Sequence, residues 1–299
     1  MLRMGRAALA AAAFSIALST VSYADEAPAA PPSEPGVKFE VGVRVWYSSG
    51  TAEYPLLFGG SKVSALHYQD QQAISPEIFA RVDSQSGMFL KGKASYGDVF
   101  DGQLIDEDFP PYIVPYSKTT SDLEGQIDYF DIDLGYNVLE DETMRLGVFV
   151  GYSYWHEHFT ALGCRQIGSN PGICGVPFPS NIAVIDEDDK YNSVRVGLAG
   201  DGRLADKLLW QAEAVLLITD HANLDTHHFT FGDAYANGDG IGYQLEAALL
   251  YEMNPRFTLG LGARWWQLNT DLDVAAFGET EEYDVNRIGV FVQGGLKIN

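Results

Sequence analysis

Two short clusters of acidic residues and histidine hold the side chains best suited to chemistry in this 299-residue chain. They are Asp106-Glu107-Asp108 and Asp225-Thr226-His227. The first and third residues of each cluster point to one face of an extended backbone, roughly 6–7 Å apart. Three carboxylates and an imidazole that converge on one cleft can bind water and accept its proton, which is the chemistry of hydrolysis. Whether the two clusters converge depends on the fold that positions them.

The N-terminus has the features of a secretory signal. A basic start is followed by the apolar segment 7–21, which is too short to span a bilayer core of roughly 30 Å. Small residues then precede a cleavage point after Ala24. We therefore predict a signal peptide over residues 1–24, a proline-rich tether over 25–37 and a folded domain over 38–299.

The chain is strongly acidic, with 41 Asp and Glu against 19 Lys and Arg and a formal net charge of −22. Without Arg3 and Arg6 of the predicted signal peptide, 17 basic residues remain against the same 41 acidic residues. This balance excludes nucleic acid as a partner and suits a cationic peptide or protein. The sequence contains no phosphate-binding loop, nucleophile elbow or dinucleotide fingerprint, and we predict neither a cofactor nor a metal site.

Two cysteines, Cys164 and Cys174, lie ten residues apart in a segment rich in glycine, proline, asparagine and serine. In an exported protein this arrangement predicts a disulfide that closes one loop. A metal-binding or redox pair is the alternative, but the second pair of ligands that such a metal site needs is missing.

Beyond the tether, many segments of about ten residues alternate in polarity, which is typical of strands in an outer-membrane barrel. In Gly125 to Leu139 the apolar side chains share one face and polar side chains occupy the other. The apolar residues are Phe130, Ile132, Leu134, Tyr136 and Val138; the polar ones are Asp131, Asp133 and Asn137. Such a pattern predicts lipid on one side of the strand and a polar lumen on the other.

The predicted connections alternate between short and long. Short ones fall at 84–87, 140–143, 200–206 and 252–255, and long polar ones near 49–61, 100–124, 160–190, 222–239 and 270–282. Barrels of this kind keep short turns on the periplasmic side and long loops outside the cell. The rhythm therefore predicts an all-β fold, a ten-stranded antiparallel transmembrane barrel. A soluble β-sandwich also alternates, but this rhythm and the aromatic outer faces favour the barrel.

Aromatic residues near the predicted strand ends support membrane insertion, because aromatic girdles form at both membrane interfaces. These residues are Trp46, Tyr47, Trp155, Trp265 and Trp266. We predict that they form such girdles.

With ten strands, both chemical clusters fall at the extracellular end, one after the third predicted strand and one after the seventh. In this order and spacing they resemble the omptin family, the outer-membrane aspartic-type endopeptidases. The matching stretches are Gly102 to Phe109 and Asp225 to Phe229, and weaker likeness covers roughly residues 45–299. The resemblance implies an outer-membrane location with an extracellular active face and cationic peptides or proteins as substrates. It also implies membrane lipid or lipopolysaccharide as a partner, and leaves a lipopolysaccharide requirement as a question for experiment.

The resemblance also implies roles for the clustered residues. Asp225 would orient His227, which would take a proton from the attacking water. Asp106 and Asp108 would bind that water, with one of the two protonated because two close carboxylates do not both ionise easily.

The family reads a basic residue before the cut with a lumenal Glu in the first strands and an Asp two residues before the Asp-x-His pair. Here the corresponding substrate-binding positions are Glu53 and Asn223. One of the two acids is therefore absent, and strict dibasic specificity is not expected.

Other interpretations stay open at this stage. Acidic runs are commonly solvated in a chain this acidic, and Asp106 with Asp108 could bind a divalent cation loosely. A catalytically inactive omptin-like barrel, serving as an adhesin or structural protein, and a small porin are the rival functions. A wide pore is disfavoured because ten strands enclose little free lumen. His156 and His158 share a face without a third nearby ligand, which favours a position at the barrel rim over a zinc site.

Overall fold

The computed structural model describes residues 36–109, 116–170, 172–229, 232–274 and 278–298. The predicted signal peptide and all of the predicted tether except Gly36 and Val37 lie outside these residues. Among the described residues, no helix is long and apolar enough to cross a membrane.

The described residues form ten strands. In chain order they are β1 (Lys38–Phe58), β2 (Ser61–Asp83), β3 (Met88–Asp108), β4 (Ser117–Glu140), β5 (Met144–Gln166), β6 (Phe178–Ala205), β7 (Leu208–His227), β8 (Gly232–Asn254), β9 (Phe257–Val274) and β10 (Glu279–Ile298). Each strand pairs with the next, and β1 pairs antiparallel with β10, which closes the barrel. The prediction of an all-β, ten-stranded antiparallel barrel is confirmed.

The alternating side chains of β4 divide between the outer surface and the lumen as predicted. The five apolar residues predicted to face lipid are 44% to 57% exposed: Phe130, Ile132, Leu134, Tyr136 and Val138. Asp131, Asp133 and Asn137 are buried on the opposite face. An apolar outer belt over a polar interior is the arrangement that lipid requires of a barrel.

The strands are much longer than a membrane requires. They contain from 18 residues in β9 to 28 in β6, whereas roughly 9–11 tilted residues span a bilayer. Above Phe130 on β4 the next outward-facing residues are Asp128 and Gln126, so the apolar belt ends there. The barrel wall therefore continues well beyond the membrane, toward the end that we call the upper rim. The upper rim is the end of the barrel at which β1 is followed by β2, β3 by β4, β5 by β6, β7 by β8 and β9 by β10.

The predicted long connections are wrong in extent, because most of their residues belong to these strand extensions. The shortest case joins β1 to β2 through Gly59 and Gly60, whose φ angles of 60° and 75° lie in the left-handed region that favours glycine. The predicted turn at 200–206 is also wrong in extent, because β6 continues to Ala205 and the turn occupies 206–207. Above the membrane water contacts the outer face as well, so polarity in the sequence no longer distinguishes strand from loop.

The predicted aromatic girdle is wrong for three tryptophans. Trp46, Trp155 and Trp266 are at most 6% exposed and meet inside the lumen. The ring centroids of Trp155 and Trp266 are 4.8 Å apart, and those of Trp155 and Tyr129 are 4.5 Å apart. Because neighbouring strand positions face opposite sides, a tryptophan one position from the outer face belongs to the core.

Below this aromatic cluster, ion pairs fill the lumen. Arg44 contacts Glu77 at 3.1 Å and Glu246 at 2.7 Å, and Arg264 contacts the same two carboxylates at 2.9 Å and 2.7 Å. Arg195 adds further pairs with the lumenal carboxylates of β4. The arginine side chains are nearly inaccessible to solvent, so this part of the barrel is a packed core rather than a channel.

The predicted disulfide is present. Cys164 near the end of β5 is bonded to Cys174 in the β5–β6 connection at the upper rim. The bond closes a short loop outside the membrane belt.

Candidate active site

The two clusters lie at the ends of β3 and β7, and the structure brings them to one cleft below the upper rim. Asp106, Asp108, Asp225 and His227 all line this cleft, which has a volume of about 510 Å³. Glu107, between the two aspartates, points away and pairs with Lys118 on β4 at 2.8 Å. The strand period of two therefore delivers both members of each pair to the lumen.

Asp225 and His227 form a hydrogen-bonded couple. The distance from His227 Nε2 to Asp225 Oδ2 is 3.0 Å, and the hydroxyl of Tyr54 donates to the same oxygen at 3.1 Å. Burial opposes protonation of His227, but the hydrogen bond to Asp225 and the nearby carboxylates outweigh it and raise the pKa of the imidazole. Such an imidazole is well placed to take up a proton.

The Asp106 and Asp108 carboxyls on the other wall both have raised pKa values. Burial and the neighbouring charge of Asp108 raise the pKa of Asp106 to about 7, although His227 acts in the opposite direction. Burial also raises the pKa of Asp108, opposed by His227 and by a hydrogen bond from Ser117. Near neutral pH, Asp106 can therefore retain a proton.

Glu53 does not join the cleft, and its predicted role in substrate binding is corrected. Its side chain is 56% exposed on the outer face, where it lies 3.4 Å from His67. Tyr54, the next residue, points into the lumen instead. The prediction treated this segment as a loop, whereas β1 continues through it, and a shift of one position reverses the face.

Asn223 lines the cleft, but its amide is engaged by two buried acids of β6. Its Nδ2 donates to Glu187 and, at 2.8 Å, to Asp189. Glu187 also accepts hydrogen bonds from Tyr68 at 3.1 Å and Tyr54 at 3.3 Å. Burial and the adjacent carboxylates raise the pKa of Glu187 well above its usual range. The acids near Asn223 are thus satisfied within the protein.

A second, fully buried Asp–His couple lies beneath Asn223. His221 Nε2 is 2.8 Å from Asp189 Oδ1, and the hydroxyl of Tyr283 donates to Asp189 Oδ2 at 2.9 Å. Asp220, the residue before His221, is exposed on the outer face and is not part of this couple. The sequence did not single out Glu187, Asp189 or Glu281, because all three fall in polar segments that resemble loops. Their alternation with outward-facing neighbours was the feature that could have indicated a lumenal position.

The histidines of β5 are not part of the cleft. His156 lies between Asp128 and Asp188 on the outer face, at 2.8 Å and 3.1 Å, and His158 lies 3.6 Å from Asp188. Across the described ranges, no group of three or more His, Cys, Asp or Glu residues is arranged to hold a metal ion.

Comparison with known proteins assigns the chain to a family. The model of the omptin family matches residues 117–271, more than half of the chain, including Asp225 and His227 but not the Asp106 and Asp108 pair. No curated protein matches the sequence.

Among solved structures, the outer membrane protease OmpT from Escherichia coli is 19% identical, with a TM-score of 0.68, and the match covers 87% of this chain and 96% of OmpT. The transport unit of the autotransporter AIDA-I from E. coli is 9% identical over 86% of this chain and 88% of that chain, with a TM-score of 0.41. The translocator domain of NalP from Neisseria meningitidis is 9% identical over 86% and 89%, with a TM-score of 0.35. The last two scores are too low to support an inference.

A closed ten-stranded barrel with an apolar outer belt and a matching family model defines an outer-membrane β-barrel protein. The chain belongs to the omptin family, and its fold is that of OmpT.

Proposed function

We propose that this protein is an endopeptidase that cleaves cationic peptides or proteins at the cell surface. One observation carries the proposal: the hydrogen-bonded Asp225–His227 couple lines the same cleft as Asp106 and Asp108. The resemblance to omptins supports an extracellular orientation of the cleft.

In this mechanism, neutral His227 is the general base. Its Nε2–H donates to Asp225, so the proton of the attacking water passes to Nδ1. Asp225 stabilises the imidazolium that forms, and its position is fixed in turn by the hydrogen bond from Tyr54.

The aspartate pair divides two tasks. Ionised Asp108 accepts a hydrogen bond from the water, and protonated Asp106 donates one to the oxygen of the scissile carbonyl as negative charge develops there. The tetrahedral intermediate then collapses, the C–N bond breaks, and His227 returns its proton to the departing amine. Each group ends in its starting state, so no covalent intermediate with the enzyme is needed.

The lining of the cleft favours a cationic substrate. Asp106, Asp108, Asp225 and Glu281 supply carboxyl groups, and no lysine or arginine stands among the described lining residues. Aliphatic side chains make up much of the remaining wall. Positive charge on a peptide is therefore attracted to the site without a competing internal cation.

A porin function is not favoured, because the buried arginine–carboxylate pairs that include Arg44 and Arg264 occupy the lumen below the cleft. The inactive barrel is the rival that experiment must address.

The test is incubation of the refolded full chain with a basic-residue peptide library, with and without lipopolysaccharide, followed by mass spectrometry. We expect the parent protein to cleave and His227→Ala to lose cleavage while keeping its heat-modifiable barrel migration. His228→Ala is the matched control, since His228 contacts Asp186 rather than the cleft. Undiminished cleavage by His227→Ala would end this mechanism, and a parent protein inert in both conditions would favour the inactive barrel.

A further inference from the structure

Glu281 on β10 is a buried carboxylate that faces the cleft and has no ion-pair partner among the described residues. Its side chain is 2% exposed and lines the cleft together with Asp225. Its Oε1 atom accepts no hydrogen bond from any described residue. Burial of a carboxylate is costly unless it is paired or hydrogen-bonded, so a group left in this state is suited to a partner that arrives from outside.

Apolar side chains that could pack against a long basic side chain line the cleft with Glu281. Its partner across the β9–β10 pair is Leu272, and Leu56 and Val274 line the same cleft. Lysine and arginine bury an aliphatic stem against apolar surface and place the charged group at a polar end. An apolar wall beside an unpaired carboxylate provides both contacts.

The other acids that could read a substrate charge are engaged or lie elsewhere. Glu187 accepts hydrogen bonds from Tyr54 and Tyr68 and takes the amide of Asn223. Glu53 lies outside the barrel. Unlike these two glutamates, Glu281 both faces the cleft and is left unsatisfied by the described part of the fold.

We propose that Glu281 is the specificity-determining residue that binds the ammonium or guanidinium group of the substrate. This role rests on the proposed peptidase function and adds to it the residue that reads charge. Burial and the neighbouring Asp225 raise the pKa of Glu281 to about 8, as expected of a carboxyl whose counter-ion comes with the substrate.

The test compares two peptides that are identical except near the cut, where one has arginine and the other has the neutral analogue citrulline. Glu281→Gln should lower kcat/KM for the arginine peptide at least roughly tenfold, mainly through KM, and leave the citrulline peptide within about twofold. Glu282→Gln is the matched control, because Glu282 is exposed on the outer face of the same strand, and it should alter neither value. Glu281→Asp retains the charge and should retain the arginine preference.

A parent-like arginine-to-citrulline ratio in Glu281→Gln would overturn the assignment while leaving the peptidase intact. If the parent protein cleaves neither peptide, calorimetric binding of the same peptides decides the matter separately from catalysis. Arginine-peptide binding that is lost in Glu281→Gln and kept in Glu282→Gln would support the role of Glu281, and equal binding by both variants would overturn it. If Glu281→Gln loses heat-modifiable migration, the same two peptides are compared with Glu281→Lys, which should reverse the charge preference. An arginine preference that Glu281→Lys retains would also overturn the assignment.

Discussion

Asp225→Asn isolates the charge of the proposed catalytic couple. The substitution keeps the side-chain shape, so an amide oxygen in place of Oδ2 can still accept from His227 and Tyr54. What is lost is the negative charge that stabilises the imidazolium. A hydrogen bond to a charged group contributes about 1.5–3 kcal/mol, or roughly 10- to 150-fold in rate. The comparable Asp→Asn change in the catalytic triad of a serine protease costs about 10⁴-fold in kcat, which we take as the upper bound.

The assay is the pH dependence of kcat/KM on a cationic peptide. Because Asp225 raises the pKa of His227, Asp225→Asn should move the acidic limb of the profile to lower pH as well as lowering its maximum. Asp220→Asn is the control, since Asp220 is exposed on the outer face of the same strand. A rate within about threefold of the parent, or an acidic limb that does not move, would refute the reasoning.

Three further changes test other parts of the structure. Burial raises the pKa of Asp106 to about 7, so the activity of the parent protein should fall as pH rises through that value. Asp106→Asn mimics the protonated form, so its activity should not show this fall. Asp106→Ala should lower activity by several orders of magnitude at every pH. Replacing Cys164 and Cys174 by serine should cost at most roughly 3 kcal/mol and leave insertion intact, measured by heat-modifiable migration, and failure to insert would contradict this. Asn223→Asp adds a third carboxylate beside Glu187 and Asp189. This change should lower the unfolding midpoint in urea and should not increase the preference for arginine.

The sequence predicted the fold wherever lipid enforces contrast between the two faces of a strand. Phe130 and its outward-facing neighbours on β4 alternate with buried Asp131 and Asp133, and both the barrel and the strand number follow from such segments. The predictions failed above the membrane. There water contacts the outer face as well, so the strand extension through Glu53 looked like a loop although β1 continues to Phe58.

The alternation of side chains along a strand also explains which parts of the site were predictable. Asp106 with Asp108, and Asp225 with His227, stand at i and i+2, so each pair reaches the lumen together or not at all. For a single residue, no second residue at i and i+2 spacing helps to indicate which face it occupies. Glu53 differs from an inward-facing position by one residue, which reverses the face completely.

The buried acids beneath the cleft change what the asparagine at 223 means. The family resemblance placed an acid there to read substrate charge, yet in this barrel Asn223 supplies the donor that satisfies Glu187. Glu187 in turn shares the hydroxyl of Tyr54 with Asp225. Asparagine at this position therefore helps to support the Asp225–His227 couple, because an aspartate here would place three carboxylates close together. Under the proposed function, recognition of a cationic substrate then depends on another wall of the cleft, where Glu281 lies.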